Sequence, residues 1–117
     1  MSVGVDRFVS DLADAGVAAT FDGVRVFYDI VPIAGAHAGK PIPTGVSATE
    51  LEGWPLSPPH WIHIERKVKF LIPTNTDQTD CLPGWNRQSR ELGPWDTTMP
   101  AVRVWLAHVR GFLSLAA

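Results

Sequence analysis

The chain has a single cysteine in 117 residues. That rules out an internal disulfide framework and fits a reducing compartment, where a thiol stays available. It has no basic excess either: ten Lys and Arg stand against twelve Asp and Glu, and the tightest cationic group is Arg66, Lys67 and Lys69. Nothing of that kind holds a phosphate backbone, so nucleic acid is not an expected partner. No apolar stretch reaches transmembrane length, and Met1 to Asp6 lacks the positive start and apolar run of an export signal. A cytoplasmic protein with no membrane contact is expected. Internal repeats and low-complexity tracts are also missing. With 45% hydrophobic and 19% charged residues the composition is that of a soluble globular protein, and the length suits one domain, residues 1–117, with its own core.

Within that domain, Val5, Phe8, Val9 and Leu12 recur at helical spacing, with Ser2 as a cap and Gly16 as a stop signal, predicting a short N-terminal helix. Val17 to Phe21 and Val24 to Ile33 are β-prone runs joined by Asp22-Gly23, a hairpin signal. A loop from Ala34 to Thr44 leads to a strand from Gly45 to Leu51. Trp61–Ile64 and Val68–Ile72 then read as one strand bent at Glu65-Arg66-Lys67. Pro73 to Pro94 shows no sustained period and is expected to be a long functional loop, with a helical turn at 87–92. From Pro100 the stripe Val102, Trp105, Leu106, Val109, Phe112 and Leu113 predicts a helix capped by Asp96, Thr97 or Thr98. Helix, antiparallel meander, cysteine-bearing loop and helix make an α+β fold, with both helices on one sheet face.

Cys81 follows the polar run Thr74 to Asp80 instead of lying in an apolar element, and a thiol in such surroundings is a candidate nucleophile. Upstream stands Trp54-Pro55-Leu56-Ser57-Pro58-Pro59; downstream come Cys81-Leu82, then Trp95-Asp96-Thr97-Thr98-Met99, then the helix from Pro100. In this order the pieces resemble the core of ubiquitin-conjugating (E2) enzymes: a proline-rich turn before a central strand, the cysteine in the next loop, then a tryptophan and a helix. Two departures stand out. Pro73-Thr74-Asn75 replaces the His-Pro-Asn tripeptide, and the segment from Cys81 to Trp95 is longer than usual. The resemblance is therefore to a bacterial E2-like branch that keeps the cysteine without the asparagine motif. It implies a UBC-like fold and, as partners, an E1-like adenylating enzyme, a ubiquitin-like protein and a target protein. A JAB-type peptidase typically accompanies that branch.

On this resemblance Cys81 would accept the C-terminal carboxyl of a ubiquitin-like protein as a thioester and pass it to an amine. A thiol pKa near ~8.5 leaves enough thiolate for exchange with an activated thioester, and no histidine base is required. Asn75 is the nearest side chain that could donate to the oxyanion, although asparagine in turns more often bonds its own backbone. Asp80, like Asp77, could orient an incoming lysine, against a default of solvation or turn capping. His60 and His63, three apart on a strand, point to opposite faces and make a metal site improbable; they are expected to be strand residues, one bonded within the core. No cofactor is expected. Trp54, Trp61 and Trp105 are expected to pack, whereas Pro55, Leu56, Trp85 and Trp95 are candidate partner-binding residues, Trp95 standing beside Cys81. The alternative reading is a noncatalytic E2-variant module that presents a ubiquitin-like protein or an E1 partner. A small thiol-redox or hydrolytic enzyme is a third class, with little support from a lone cysteine and no Gly-x-Ser-x-Gly elbow.

Overall fold

A computed structural model describes residues 4–71, 74–89, 92 and 94–117. Helix α1 (Val5–Asp14) precedes strands β1 (Ala19–Phe21), β2 (Arg25–Ile30) and β3 (Ile42–Ser47) and a short 3-10 helix (Thr49–Leu51). Strands β4 (Ile62–Glu65), β5 (Asn75–Asp77) and β6 (Trp85–Ser89) follow, and helix α2 (Ala101–Leu113) comes last. The strands form one antiparallel sheet in the order β1-β2-β3-β4-β6-β5, so the fold is α+β. The first four strands run as a meander. Strand β6 then inserts between β4 and β5, leaving β5 at the edge. Among the described residues, no helix is long and apolar enough to cross a membrane.

The apolar periodicities of both helices close on one sheet face. Phe8 and Leu12 of α1, and Val102, Trp105, Leu106, Val109, Phe112 and Leu113 of α2, are buried against Val26, Tyr28, Ile30, Ile62 and Ile64. Each such side chain removed from water contributes about 1.5–3 kcal/mol. Two indole N–H groups are satisfied where they enter this core: Trp105 Nε1 donates to the Tyr28 hydroxyl at 3.1 Å, and Trp54 Nε1 donates to Asp11 Oδ2 at 3.0 Å. The Trp54–Pro55 peptide is cis. Gly35, at φ 82, lets its loop touch the end of α2, because a Cβ there would lie 2.1 Å from the Ser114 carbonyl oxygen.

Several expectations are corrected. Strand β3 starts at Ile42 instead of Gly45 and takes in Pro43, which is tolerated because β4 pairs only with Thr44 and Gly45, leaving Pro43 a neighbour on one side. Its predicted end, 49–51, coils into the 3-10 helix, where Glu50 turns back to accept the Ser47 N–H. There is no single bent strand over 61–72. A turn in which Val68 N–H donates to the Glu65 carbonyl ends β4, and Phe70 bridges to Ala116 instead; Ile72 lies outside the described residues. The long loop contains β5 and β6, and 87–89 are strand, not a helical turn. Both strands are polar, so alternation did not show. Helix α2 has Pro100 as its N-cap without a side-chain cap; Asp96 instead accepts from the N–H and hydroxyl of Thr98 in the preceding turn. Ser2 lies outside the described residues.

Candidate active site

A single row of aligned residues crosses the sheet: Phe27 opposite Gly45, Gly45 opposite His63, His63 opposite Arg87, and Arg87 opposite Asp77. Since alternate strand residues face opposite ways and Ile62 and Ile64 face the helices, His63 and its row face the other side. Gly45 makes this possible. A Cβ there would stand 3.3 Å from His63 Cβ and 3.2 Å from the Phe27 ring, tighter than side chains usually pack. The 3-10 helix after β3 places Glu50 beside this row, and the β5–β6 loop brings Cys81 to it.

His63 Nε2 lies 3.0 Å from both Glu50 oxygens, and its Nδ1 lies 3.6 Å from Cys81 Sγ. An ionised carboxylate only accepts, so Nε2 carries a proton, and in the neutral ring Nδ1 is then the acceptor that faces the thiol. The side chains of His63 and Glu50 are 1% and 8% exposed. Glu50 also accepts the Ser47 N–H and Arg87 Nη1, at 3.2 and 3.1 Å. Arg87 in turn holds Asp77 Oδ2 through Nη2 at 2.7 Å and Nε at 3.2 Å, and its guanidinium carbon sits 4.4 Å from the centre of the Trp61 ring. The result is a continuous chain, Cys81–His63–Glu50–Arg87–Asp77.

The loop that carries the thiol is pinned at several points. Asp77 Oδ1 accepts from the backbone N–H groups of Gln78 and Thr79, Cys81 N–H donates to the Gln78 carbonyl at 3.2 Å, and Arg25 Nε donates to the Asp80 carbonyl at 2.5 Å. Asp80 itself takes φ 61, a left-handed conformation that aspartate tolerates better than most residues.

Electrostatics decide the resting protonation. Burial pushes the Glu50 carboxyl up, but hydrogen bonds from His63, Ser47 and Arg87 and the attraction of His63 outweigh it, and the net shift is down. The hydrogen bond from Arg87, joined by the N–H groups of Thr79 and Gln78, brings Asp77 down to about 2. Burial pushes the Cys81 thiol up from 9.0 to about 11; Arg87 and Arg25 pull it down, while Glu50 and Asp77 oppose them. At neutral pH such a thiol is about one part in 10⁴ thiolate. The sulfur therefore rests as the thiol, and His63 Nδ1, 3.6 Å away, is the nitrogen placed beside its proton. A nucleophile, a base and a carboxylate that orients the base are the parts acyl transfer needs.

No family model, curated protein or solved structure matches the chain. Of the residues singled out in sequence, Cys81 stands at the head of the chain of contacts. Asn75 is exposed on β5 opposite Ser89, two residues along the strand from Asp77. Asp80 takes part through its backbone carbonyl, which Arg25 holds. Asp77, expected to be solvated or a turn cap, caps the turn and also holds Arg87.

Pro55, Leu56 and Trp95 come together with Arg7 and Met99 around a small groove of about 180 Å³. Trp85 lies apart, edge-on to Phe27 at 5.6 Å. Trp95 is half-buried, packed on Trp54 at 5.9 Å at the margin of the core, with Nε1 donating to the Pro55 carbonyl at 3.1 Å. Trp54 and Trp105 pack as expected, whereas half-buried Trp61 carries Arg87. His60 takes a separate partner, Ser89 Oγ, at 3.1 Å. Sequence reasoning missed His63, Glu50 and Arg87. The alternation Ile62-His63-Ile64 does say that His63 leaves the apolar face, but not what it meets there.

Proposed function

We propose that this chain is an E2-like conjugating enzyme: Cys81 accepts the C-terminal carboxyl of a ubiquitin-like protein from an E1-like adenylating enzyme as a thioester and transfers it to an amine on a target protein. The observation that carries this reading is the Cys81 sulfur on the β5–β6 loop, 3.6 Å from Nδ1 of His63, whose Nε2 is bonded to a buried carboxylate. Thioester exchange needs a thiol that can lose its proton during attack, and His63 is placed to receive it. The arrangement of α1, meander, cysteine loop and α2 is compatible with the UBC-like layout that the sequence resembles. Incubation with E1, ATP and the ubiquitin-like protein should give a reductant-sensitive adduct that Cys81→Ala abolishes; an adduct of unchanged yield in that variant would reject the assignment.

One observation favours a second reading. A thiol pushed up to about 11 is a weak nucleophile unless a base assists it, which suits a noncatalytic module that presents a ubiquitin-like protein or an E1. Binding of those partners without any charging of Cys81 is the result that would select it.

A further inference from the structure

Resting on the thioester reading, we propose that His63, oriented by Glu50, is the general base for the acceptor step and widens the acceptor from amines to hydroxyl groups, so that a serine or threonine side chain can receive the acyl group as an ester. A lysine amine loses its proton to solvent, its pKa being near ~10.4, and then attacks a thioester unaided. An aliphatic hydroxyl cannot be deprotonated in that way and attacks only as a base removes its proton. A cysteine alone therefore serves amines. This cysteine is not alone: Nδ1 of His63 faces Sγ at 3.6 Å, and the bond from Nε2 to Glu50 fixes the tautomer that leaves Nδ1 open.

The atoms balance without a further reactant. An acceptor oxygen approaching the carbonyl carbon on Sγ comes within reach of Nδ1; the new C–O bond forms as the hydroxyl proton passes to Nδ1. The C–S bond then breaks, and the imidazolium returns that proton to the leaving sulfur, regenerating thiol and neutral imidazole. Return of the proton matters here because burial makes the departing thiolate strongly basic, with the thiol at about 11. Glu50 stabilises the transient imidazolium and is itself held ionised by Arg87 and the Ser47 N–H. It is a positioning residue; His63 touches the reacting atoms. His63 is 1% exposed and Cys81 half-buried, so an acceptor reaches the base from the side of the sulfur.

The test uses the whole chain and small probes. Cys81 is acylated with a glycine-terminated peptide thioester of mercaptoethanesulfonate, and discharge to N-acetyl-threonine amide and to N-acetyl-lysine amide is followed by intact mass. The expected result is a threonine ester whose formation falls about 10²–10⁴-fold in His63→Gln, the range for loss of a general base. Lysine discharge at alkaline pH should fall by a much smaller factor. Because a buried His63 replacement can unfold the sheet, the wild-type chain gives a second reading: threonine transfer should slow in deuterium oxide, and lysine transfer at alkaline pH should not. No acylation of Cys81 overturns both the thioester reading and this one. Acylation followed by lysine product alone, or by loss to water without ester, overturns the hydroxyl assignment and leaves thioester carriage standing. Ester formation at the same rate in a folded His63→Gln variant removes His63 as the base.

Discussion

Replacing Glu50 by glutamine keeps the shape of the side chain and removes its charge at the point where His63, Ser47 and Arg87 all donate to it. Breaking a buried pair outright costs about 3–5 kcal/mol, because a charge is left unpaired. Here Arg87 keeps Asp77 at 2.7 Å, so no cation is stranded. What is lost is charge assistance in two bonds, those from His63 and Arg87. With charged bonds contributing about 1.5–3 kcal/mol and neutral ones about 1, a loss of about 1–4 kcal/mol follows at neutral pH. The amide group must also point its NH₂ at one of two donors, which favours moving the His63 proton to Nδ1 and would take the base away from the sulfur. The pH dependence has a definite sign. The folded-state pKa of Glu50 lies below its ordinary 4.5, so its stabilisation is fully present above that value and is lost as pH falls through the folded pKa. Urea unfolding of wild type and Glu50→Gln across a pH series should show the full gap at neutral pH and a gap closing in acid below about 4.5. Equal stability at neutral pH, or a gap that persists unchanged in acid, would refute the reasoning.

Two further outcomes are expected. Alkylation of Cys81 by iodoacetamide should rise with a midpoint near pH 11 instead of 9.0, because burial disfavours the thiolate; a midpoint near 9.0 would show the sulfur to be solvated. Trp95→Phe keeps the ring against Trp54 but loses the donor to the Pro55 carbonyl, so thermal unfolding should reveal a loss of about 1 kcal/mol. Unchanged stability would mean that Trp95 is held only by its ring.

Legibility followed the apolar pattern. The stripes of α1 and α2 and the Asp22-Gly23 hairpin were readable because helical spacing and a turn signal each name one structure; Gly23 does take φ 96. Strands β5 and β6 were not readable, because Asn75-Thr76-Asp77 and Asn86-Arg87-Gln88 carry polar groups on both faces and so lack the apolar alternation by which a strand is recognised. For the site, the polar loop position of Cys81 drew attention to the thiol, but its neighbours come from far along the chain. Glu50 and Arg87 meet only because β6 pairs with β4, and no local spacing encodes that. Trp95 shows the same limit: the Pro55 carbonyl that accepts from its Nε1 is distant in sequence and is brought to it by the fold.

The register that lines up His63, Arg87 and Asp77 also has a consequence during folding. A chain in which β6 has not yet docked on β4 carries a bare thiol, with no base turned towards it and no arginine to hold Glu50. A slip of β6 by one residue along β4 would turn Arg87 to the helix side and Gln88 away from it. The surroundings of Cys81 are thus tied to completed long-range pairing: until β6 lies in register on β4, the thiol is without the chain His63–Glu50–Arg87–Asp77 that flanks it in the folded protein.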